Sequence, residues 1–102
     1  MIEEVRKSAA KKILFLPHSI SQMSRPDRMI SVDEVEETVK RGEIIEEYMN
    51  DPRGCSCLML HVPSGRAVQV VCAPKEDYLA IITAYLPHPN QWDVSFRQRT
   101  KK

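Results

Sequence analysis

The chain is poor in glycine. Only three glycines occur among its 102 residues, and all three lie at turn positions. A phosphate-binding loop needs clustered glycines, because its backbone N–H groups must come close to the phosphate. The sequence therefore argues against nucleotide triphosphatase and dinucleotide-binding activities.

Long apolar runs are also missing. No run approaches the roughly 20 residues that a membrane-spanning helix needs. The first residues, Met1 to Lys7, include acids and no long apolar segment, so no secretory signal is predicted. The three cysteines are an odd number, and their spacing matches no disulfide framework. This favours reduced thiols in a cytoplasmic protein.

Cysteine and histidine are too sparse for a standard metal site. Cys55, Cys57 and His61 form one C-x-C pair and a single histidine. A structural zinc site has four ligands, commonly on two paired arms, and no second arm is present. Partly buried thiols are the favoured interpretation, and we predict no metal and no cofactor.

Charge is unevenly distributed along the chain, although the net charge is only +1. Residues 1–28 hold six Lys/Arg against three acids, residues 29–52 hold two against eight, and residues 53–102 hold seven against three. Two basic ends that meet in space would attract phosphate. An ordinary solvated surface is the alternative.

The pattern of apolar residues predicts helices over 2–11 and 32–41. Ser31 and Glu34 form a capping box at the start of the second helix. Gly42 follows its last residue, at the C′ position where glycine commonly ends a helix. Strands are predicted at 13–16, 44–48, 57–62, 67–72 and 79–85. Short connections between the last four favour antiparallel pairing. We expect an α+β fold of two layers, with N-terminal helices on an antiparallel sheet of about four strands.

The most informative residues lie at the end of the apolar run 79–85 and after it. Tyr85 ends that strand, and Trp92, Arg97 and Arg99 come after it. Because such a strand must be buried, these side chains are expected at one edge of the sheet. Two interpretations are open: these side chains bind RNA or a partner protein, or they only cover the edge of a small core.

Histidines offer acid–base chemistry near neutral pH. His18 follows Pro17 at the expected end of the first strand, where it is a candidate general acid or base. A lone histidine is more often structural, for example by bonding a carbonyl group. His88 lies between two prolines and is interpreted as an exposed contact.

The order of several short motifs resembles the family called domain of unknown function 4258. The motifs are His18, Met23, 28–31, 32–37, 42–48, 70–71, 81–85, Pro87, Trp92 and 96–99. The resemblance covers residues 12–99. Residues 1–11 would be a helical extension and 100–102 a basic tail of one single domain, 1–102. The chain departs from the family pattern at Gln22, where many members carry arginine, and in about two extra residues around Pro26.

The resemblance implies a relative of the RelE/ParE-type toxins and of the MqsR-like messenger-RNA interferases. It implies a toxin of a toxin–antitoxin pair that acts as a metal-independent endoribonuclease, with a partner similar to the zinc-ribbon antitoxin MqsA. On this analogy the catalytic residues are His18, Tyr85 and Arg97, and the RNA-binding residues are Arg28, Trp92 and Arg99. A non-catalytic protein- or RNA-binding module is the alternative, and a homo-oligomer is left open.

Overall fold

A computed structural model describes residues 1–52, 54–63 and 65–100. Its elements are α1 (Ile2–Lys11), β1 (Ile13–Phe15), α2 (Pro17–Met23), α3 (Val32–Arg41), β2 (Glu43–Tyr48), β3 (Ser56–His61), β4 (Val68–Pro74) and β5 (Leu79–Tyr85). Helices and strands both occur where the residue pattern predicted them, so the α+β class is confirmed. Parts of the turns near residues 53 and 64, and Lys101 and Lys102 of the predicted basic tail, lie outside the described residues.

The strands form one sheet in the order β1-β5-β4-β3-β2. Strands β2 to β5 are antiparallel neighbours, as their short connections predicted. Strand β1 adds a fifth, parallel strand beside β5, in register from Ile13 opposite Leu79 to Phe15 opposite Ile81. The long stretch of chain between β1 and β5 makes the parallel arrangement feasible.

Helices α1 and α3 cover one face of the sheet. Val5 of α1 and Val35 and Val39 of α3 are fully buried in the same core as Met59 and Val70 of the sheet. Helix α1 thus contributes to the core itself, although the resemblance placed it outside the family-like domain.

Helix α3 begins and ends for identifiable reasons. Ser31 Oγ accepts from the backbone N–H of Glu34 at 3.1 Å, and Glu34 Oε1 accepts from that of Ser31 at 3.0 Å. Gly42 ends the helix with extended backbone (φ −76°, ψ −178°) instead of the left-handed form usual at C′. A Cβ on Gly42 would lie 2.5 Å from the Thr38 carbonyl oxygen and 2.6 Å from that of Leu60, so close backbone packing requires glycine here.

The C-terminal segment, residues 86–100, begins with Leu86 against the core and continues on the other face of the sheet. Gln69 of β4 donates from its side-chain amide to the Phe96 carbonyl at 3.0 Å, and Trp92 forms a bridge with Arg99. Trp92 is only 3% exposed. This segment brings the basic end of the chain over β2 and next to the end of β5.

Candidate functional site

Arg28 is a cation held by neutral groups. Its Nη1 donates to Gln22 Oε1 at 3.0 Å and to the Ala84 carbonyl at 3.1 Å. Its guanidinium carbon lies 6.0 Å from the ring centroid of Tyr85, at the outer limit of a cation–π contact. No carboxylate pairs with Arg28 among the residues that the structure describes. Its positive charge is therefore available to an anion.

Arg66 fixes the loop that carries Arg28. Its Nη1 donates to the Arg28 carbonyl at 2.8 Å, and its Nη2 donates to the Met29 carbonyl at 2.9 Å. The same guanidinium pairs with both carboxylate oxygens of Glu34 at 2.9 and 3.0 Å. The hydrogen bond from Arg66 lowers the pKa of Glu34 to about 2. Met29 has a left-handed backbone (φ 48°), which the two carbonyl contacts help to hold.

A second cluster links the C-terminal segment to β2. Arg99 donates to Glu46 through Nε at 2.9 Å and Nη2 at 3.2 Å, and its guanidinium covers the Trp92 ring at 4.7 Å. Tyr48 donates to Glu46 Oε1 at 2.5 Å. Burial raises the pKa of Glu46, but the hydrogen bonds from Arg99 and Tyr48 outweigh burial, and the net pKa is lowered. Glu46 is therefore ionised and holds Arg99 in place.

The tyrosines of this region keep their protons at neutral pH. Burial, aided by the hydrogen bond to Glu46, raises the pKa of Tyr48 to about 12. Burial also raises the pKa of Tyr85. Each phenol is thus a hydrogen-bond donor and not a general base in the free protein.

Two surface cavities adjoin at Gln91. One, of about 410 Å³, is lined by Asp27, Arg28, Tyr85 and His88, and the other, of about 400 Å³, by Arg99. Gln91 lines both, so we treat them as one basic groove, defined by Arg28, Tyr85, His88, Gln91 and Arg99. Its volume falls within the range usual for small-molecule pockets.

His88 has a defined tautomer in the groove. Its Nδ1 accepts from the backbone N–H of Asn90 at 3.1 Å, so in the neutral ring Nε2 carries the proton. The neutral ring then offers an N–H donor. His88, interpreted from the sequence as an exposed contact, lines the groove, because the loop 86–91 turns back towards Arg28.

The structure brings together three of the six predicted site residues. Arg28, Tyr85 and Arg99 line the groove. Trp92 lies beneath the Arg99 guanidinium with little exposed surface, so stacking of an RNA base on that ring face would require Arg99 to move.

His18 lies beside the groove and not in it. It is an exposed residue at the second position of α2, four residues before Gln22. Residues at this spacing are neighbours on a helix surface, with Cβ atoms roughly 5–6 Å apart. His18 is therefore one helical turn from the side chain that binds Arg28.

Arg97 lies at a different place. Its Nε donates to Glu43 Oε1 at 2.6 Å, and it lines a separate cavity of about 260 Å³ with Arg41 and His61. His61 Nε2 in turn lies 3.0 Å from Glu37 Oε2. Both arginines after Trp92 pair with acids of β2, because Arg97 contacts Glu43 and Arg99 contacts Glu46.

Sequence reasoning missed the residues that support the groove. Arg66 follows a turn and has no motif around it, and Gln91 is an unremarkable loop residue. Gln22 was noted only as a departure from the family pattern. Their roles come from tertiary contacts between distant parts of the chain, which no local pattern encodes.

The described part of the chain forms neither a metal-binding cluster nor a membrane-spanning helix. Within residues 1–52, 54–63 and 65–100, no three histidine, cysteine, aspartate or glutamate side chains come together as a metal ion would require. None of the helices in that part of the chain is long and apolar enough to cross a membrane.

A family model described as Domain of unknown function (DUF4258) matches residues 15–86. The chain belongs to the DUF4258 family. The matched range contains His18, Arg28 and Tyr85 but ends before Trp92, Arg97 and Arg99. No curated protein and no solved structure gives a significant match to the chain.

Proposed function

We propose that this DUF4258 protein is a metal-independent endoribonuclease acting on messenger RNA, as the toxin of a toxin–antitoxin pair, and that it binds RNA in the basic groove. The observation that carries the proposal is the position of Arg28. Its guanidinium is hydrogen-bonded to Gln22 and to the Ala84 carbonyl group, at the rim of a groove that also contains Tyr85. The toxin assignment rests on an analogy of fold and gene neighbourhood between the DUF4258 family and the RelE/ParE- and MqsR-like toxins.

Phosphate binding is assigned to the arginines. A guanidinium offers several N–H donors in one plane, which suits phosphate oxygens. Arg28 already uses Nη1 for two neutral acceptors, which orient its plane. Arg99 is paired with the Glu46 carboxylate, which partly cancels its charge, so Arg99 attracts a phosphate less strongly than Arg28 does.

Base recognition is assigned to Tyr85, His88 and Gln91. Single-stranded RNA is commonly bound by stacking of bases on aromatic side chains and by hydrogen bonds to base edges. Tyr85 supplies a ring, and His88 and Gln91 supply donors along the same groove. The adjoining cavities provide space for consecutive nucleotides.

The proposed cleavage needs no metal. His18 accepts the proton of a ribose 2′-hydroxyl, the 2′-oxygen forms a bond to phosphorus, and the bond from phosphorus to the 5′-oxygen breaks. Arg28 stabilises the negative charge that builds up on the phosphate oxygens. The Tyr85 hydroxyl donates a proton to the leaving 5′-oxygen. The products are a 2′,3′-cyclic phosphate and a 5′-hydroxyl end.

The test uses purified protein and a labelled single-stranded RNA with EDTA present. Wild-type protein is compared with Arg28→Gln and with Arg41→Gln, a matched control that removes an exposed arginine outside the groove. We expect discrete cleavage by wild type and Arg41→Gln, and a loss of at least tenfold in Arg28→Gln. Equal cleavage by all three proteins would contradict the assignment of the groove.

A second candidate function is a non-catalytic RNA-binding module. The observation that favours it is that His18 and Arg97 lie outside the groove, which therefore holds binding groups without an assembled acid–base pair. In the same experiment this function predicts RNA binding that Arg28→Gln weakens, with no cleavage by any of the three proteins.

The antitoxin is tested separately. Induced expression in bacteria is expected to arrest growth, and co-expression of a zinc-ribbon protein encoded beside the gene is expected to relieve the arrest. The His18→Ala variant, which alters an exposed side chain, is expected to be non-toxic while accumulating normally. Full toxicity of that variant would remove His18 from the mechanism.

A further inference from the structure

Two of the three cysteines face each other across neighbouring strands. Cys57 of β3 is the direct register partner of Cys72 of β4, and their Sγ atoms are 3.8 Å apart. Both residues are fully buried, and Cys55 is only partly so. No part of the function proposed above uses this pair.

We propose that Cys57 and Cys72 are a redox modification site, which a small disulfide of the glutathione class converts into a cross-strand disulfide. The geometry supports this, because directly paired residues of antiparallel strands have Cα atoms roughly 4.5–5.5 Å apart. A disulfide accepts Cα separations of roughly 4.4–6.8 Å. The sulfur atoms reach bonding distance by side-chain rotation, without separation of the strands.

The two thiols also differ in pKa, and thiol–disulfide exchange requires one of them to ionise more easily than the other. The hydrogen bond from Cys72 lowers the pKa of Cys57, against the opposing effect of burial. The same hydrogen bond, together with burial, raises the pKa of Cys72. Cys57 is therefore the thiol that ionises more easily in the paired strands. It acts as the nucleophile when local opening of the strands admits the disulfide, since the thiolate is the form that attacks.

The reaction balances in two exchanges. The Cys57 thiolate attacks oxidised glutathione, which forms a mixed disulfide and releases one glutathione thiolate. The Cys72 thiol then loses its proton and attacks the Cys57 sulfur, which releases the second glutathione. The two protein thiols are oxidised, and one glutathione disulfide is reduced to two glutathiones.

The test compares wild type, Cys55→Ser and Cys72→Ser. Each protein is unfolded and refolded in a buffer of reduced and oxidised glutathione, so that burial in the folded state does not block the reagents. Free thiols are then alkylated in denaturant, and the mass of each intact protein is measured by mass spectrometry. Peptide mapping without reductant identifies the linked cysteines.

Cys55→Ser is expected to lose the mass of two hydrogens and to bind no alkylating reagent. Its oxidised form is expected to melt at least about 5 °C above its reduced form, because the bridge restricts the unfolded chain. Wild type is expected to show the same Cys57–Cys72 peptide, and Cys72→Ser none. Two alkylated thiols in refolded Cys55→Ser, or a wild-type link through Cys55, would overturn the proposal.

Discussion

Arg66 donates from Nη1 to the main-chain carbonyl of Arg28 at 2.8 Å. This contact joins the connection after β3 to the loop that follows α2, across 38 residues of sequence. Since Arg28 is the cation on which the groove depends, Arg66 acts as a positioning residue without lining the groove.

Removal of Arg66 should therefore affect both stability and RNA binding. Arg66→Ala removes the Arg66 hydrogen bonds to Glu34 and to two carbonyl groups, at an expected cost of about 1–3 kcal/mol. We also expect weaker RNA binding, because the Arg28 loop loses its support. Chemical denaturation and fluorescence anisotropy with labelled RNA measure the two effects. Arg41→Ala removes an exposed arginine elsewhere and should change neither by as much.

Acid should weaken the fold partly through Glu34. Its pKa is about 2 in the folded protein against an ordinary value of 4.5, so its stabilising contribution is complete above pH 4.5 and is lost as the pH falls towards 2. Glu34→Gln should be less stable at neutral pH and should lose less stability over that acid range. Denaturant titrations of both proteins at several pH values test this. Parallel pH profiles of the two would contradict it.

Gly42 should not tolerate a side chain. Gly42→Ala places a Cβ against two backbone carbonyl oxygens and is expected to cost about 1–3 kcal/mol, as other overpacking substitutions do. Gly65→Ala is the matched comparison, because Gly65 has open space but a left-handed backbone (φ 89°). In thermal melts, the Gly42→Ala variant should have a lower melting temperature than the Gly65→Ala variant. The reverse order would mean that backbone strain outweighs the close contact.

Helix α1 should be required for folding. Val5→Ala empties part of the core beneath α1 and is expected to cost about 2 kcal/mol. Glu3→Ala, on the exposed side of the same helix, should have little effect. Urea midpoints compare the two variants. Equal midpoints would indicate that α1 is a dispensable extension.

Phosphate contact by Arg28 should appear in the salt dependence of RNA binding. Each phosphate contact contributes a slope of about 0.7 to the plot of log affinity against log salt for a single strand. Arg28→Gln should reduce the slope by about that amount, and Arg41→Gln, which alters an exposed arginine outside the groove, by less. Anisotropy titrations at several salt concentrations give the slopes. An unchanged slope would mean that Arg28 does not contact phosphate.

Local sequence patterns were sufficient for most of the fold. The capping box at Ser31 and the apolar run of β5 depend on neighbouring residues, so the bounds of α3 and β5 were predicted correctly. The parallel pairing of β1 with β5 depends on contacts between distant segments. Its three residues carry too little signal to specify a partner strand.

The candidate site was less predictable for the same reason. Tyr85 was singled out by its place at the end of the apolar strand and Arg28 by the family resemblance, and the structure brings them together. Arg97 has the same side chain as Arg99 two residues later, yet it pairs with Glu43 and lines another cavity. Which arginine reaches the groove depends on the path of the C-terminal segment, and charge alone does not determine that path.

The groove has two walls of different origin. Arg28 and Tyr85 belong to the range that the family model matches, whereas His88, Gln91 and Arg99 belong to the segment after it. That segment is fastened to the sheet by surface ion pairs and one buried ring. The two walls can therefore change independently: substitutions in that segment would reshape one side of the groove, while Arg28, the sheet and the helices stay in place.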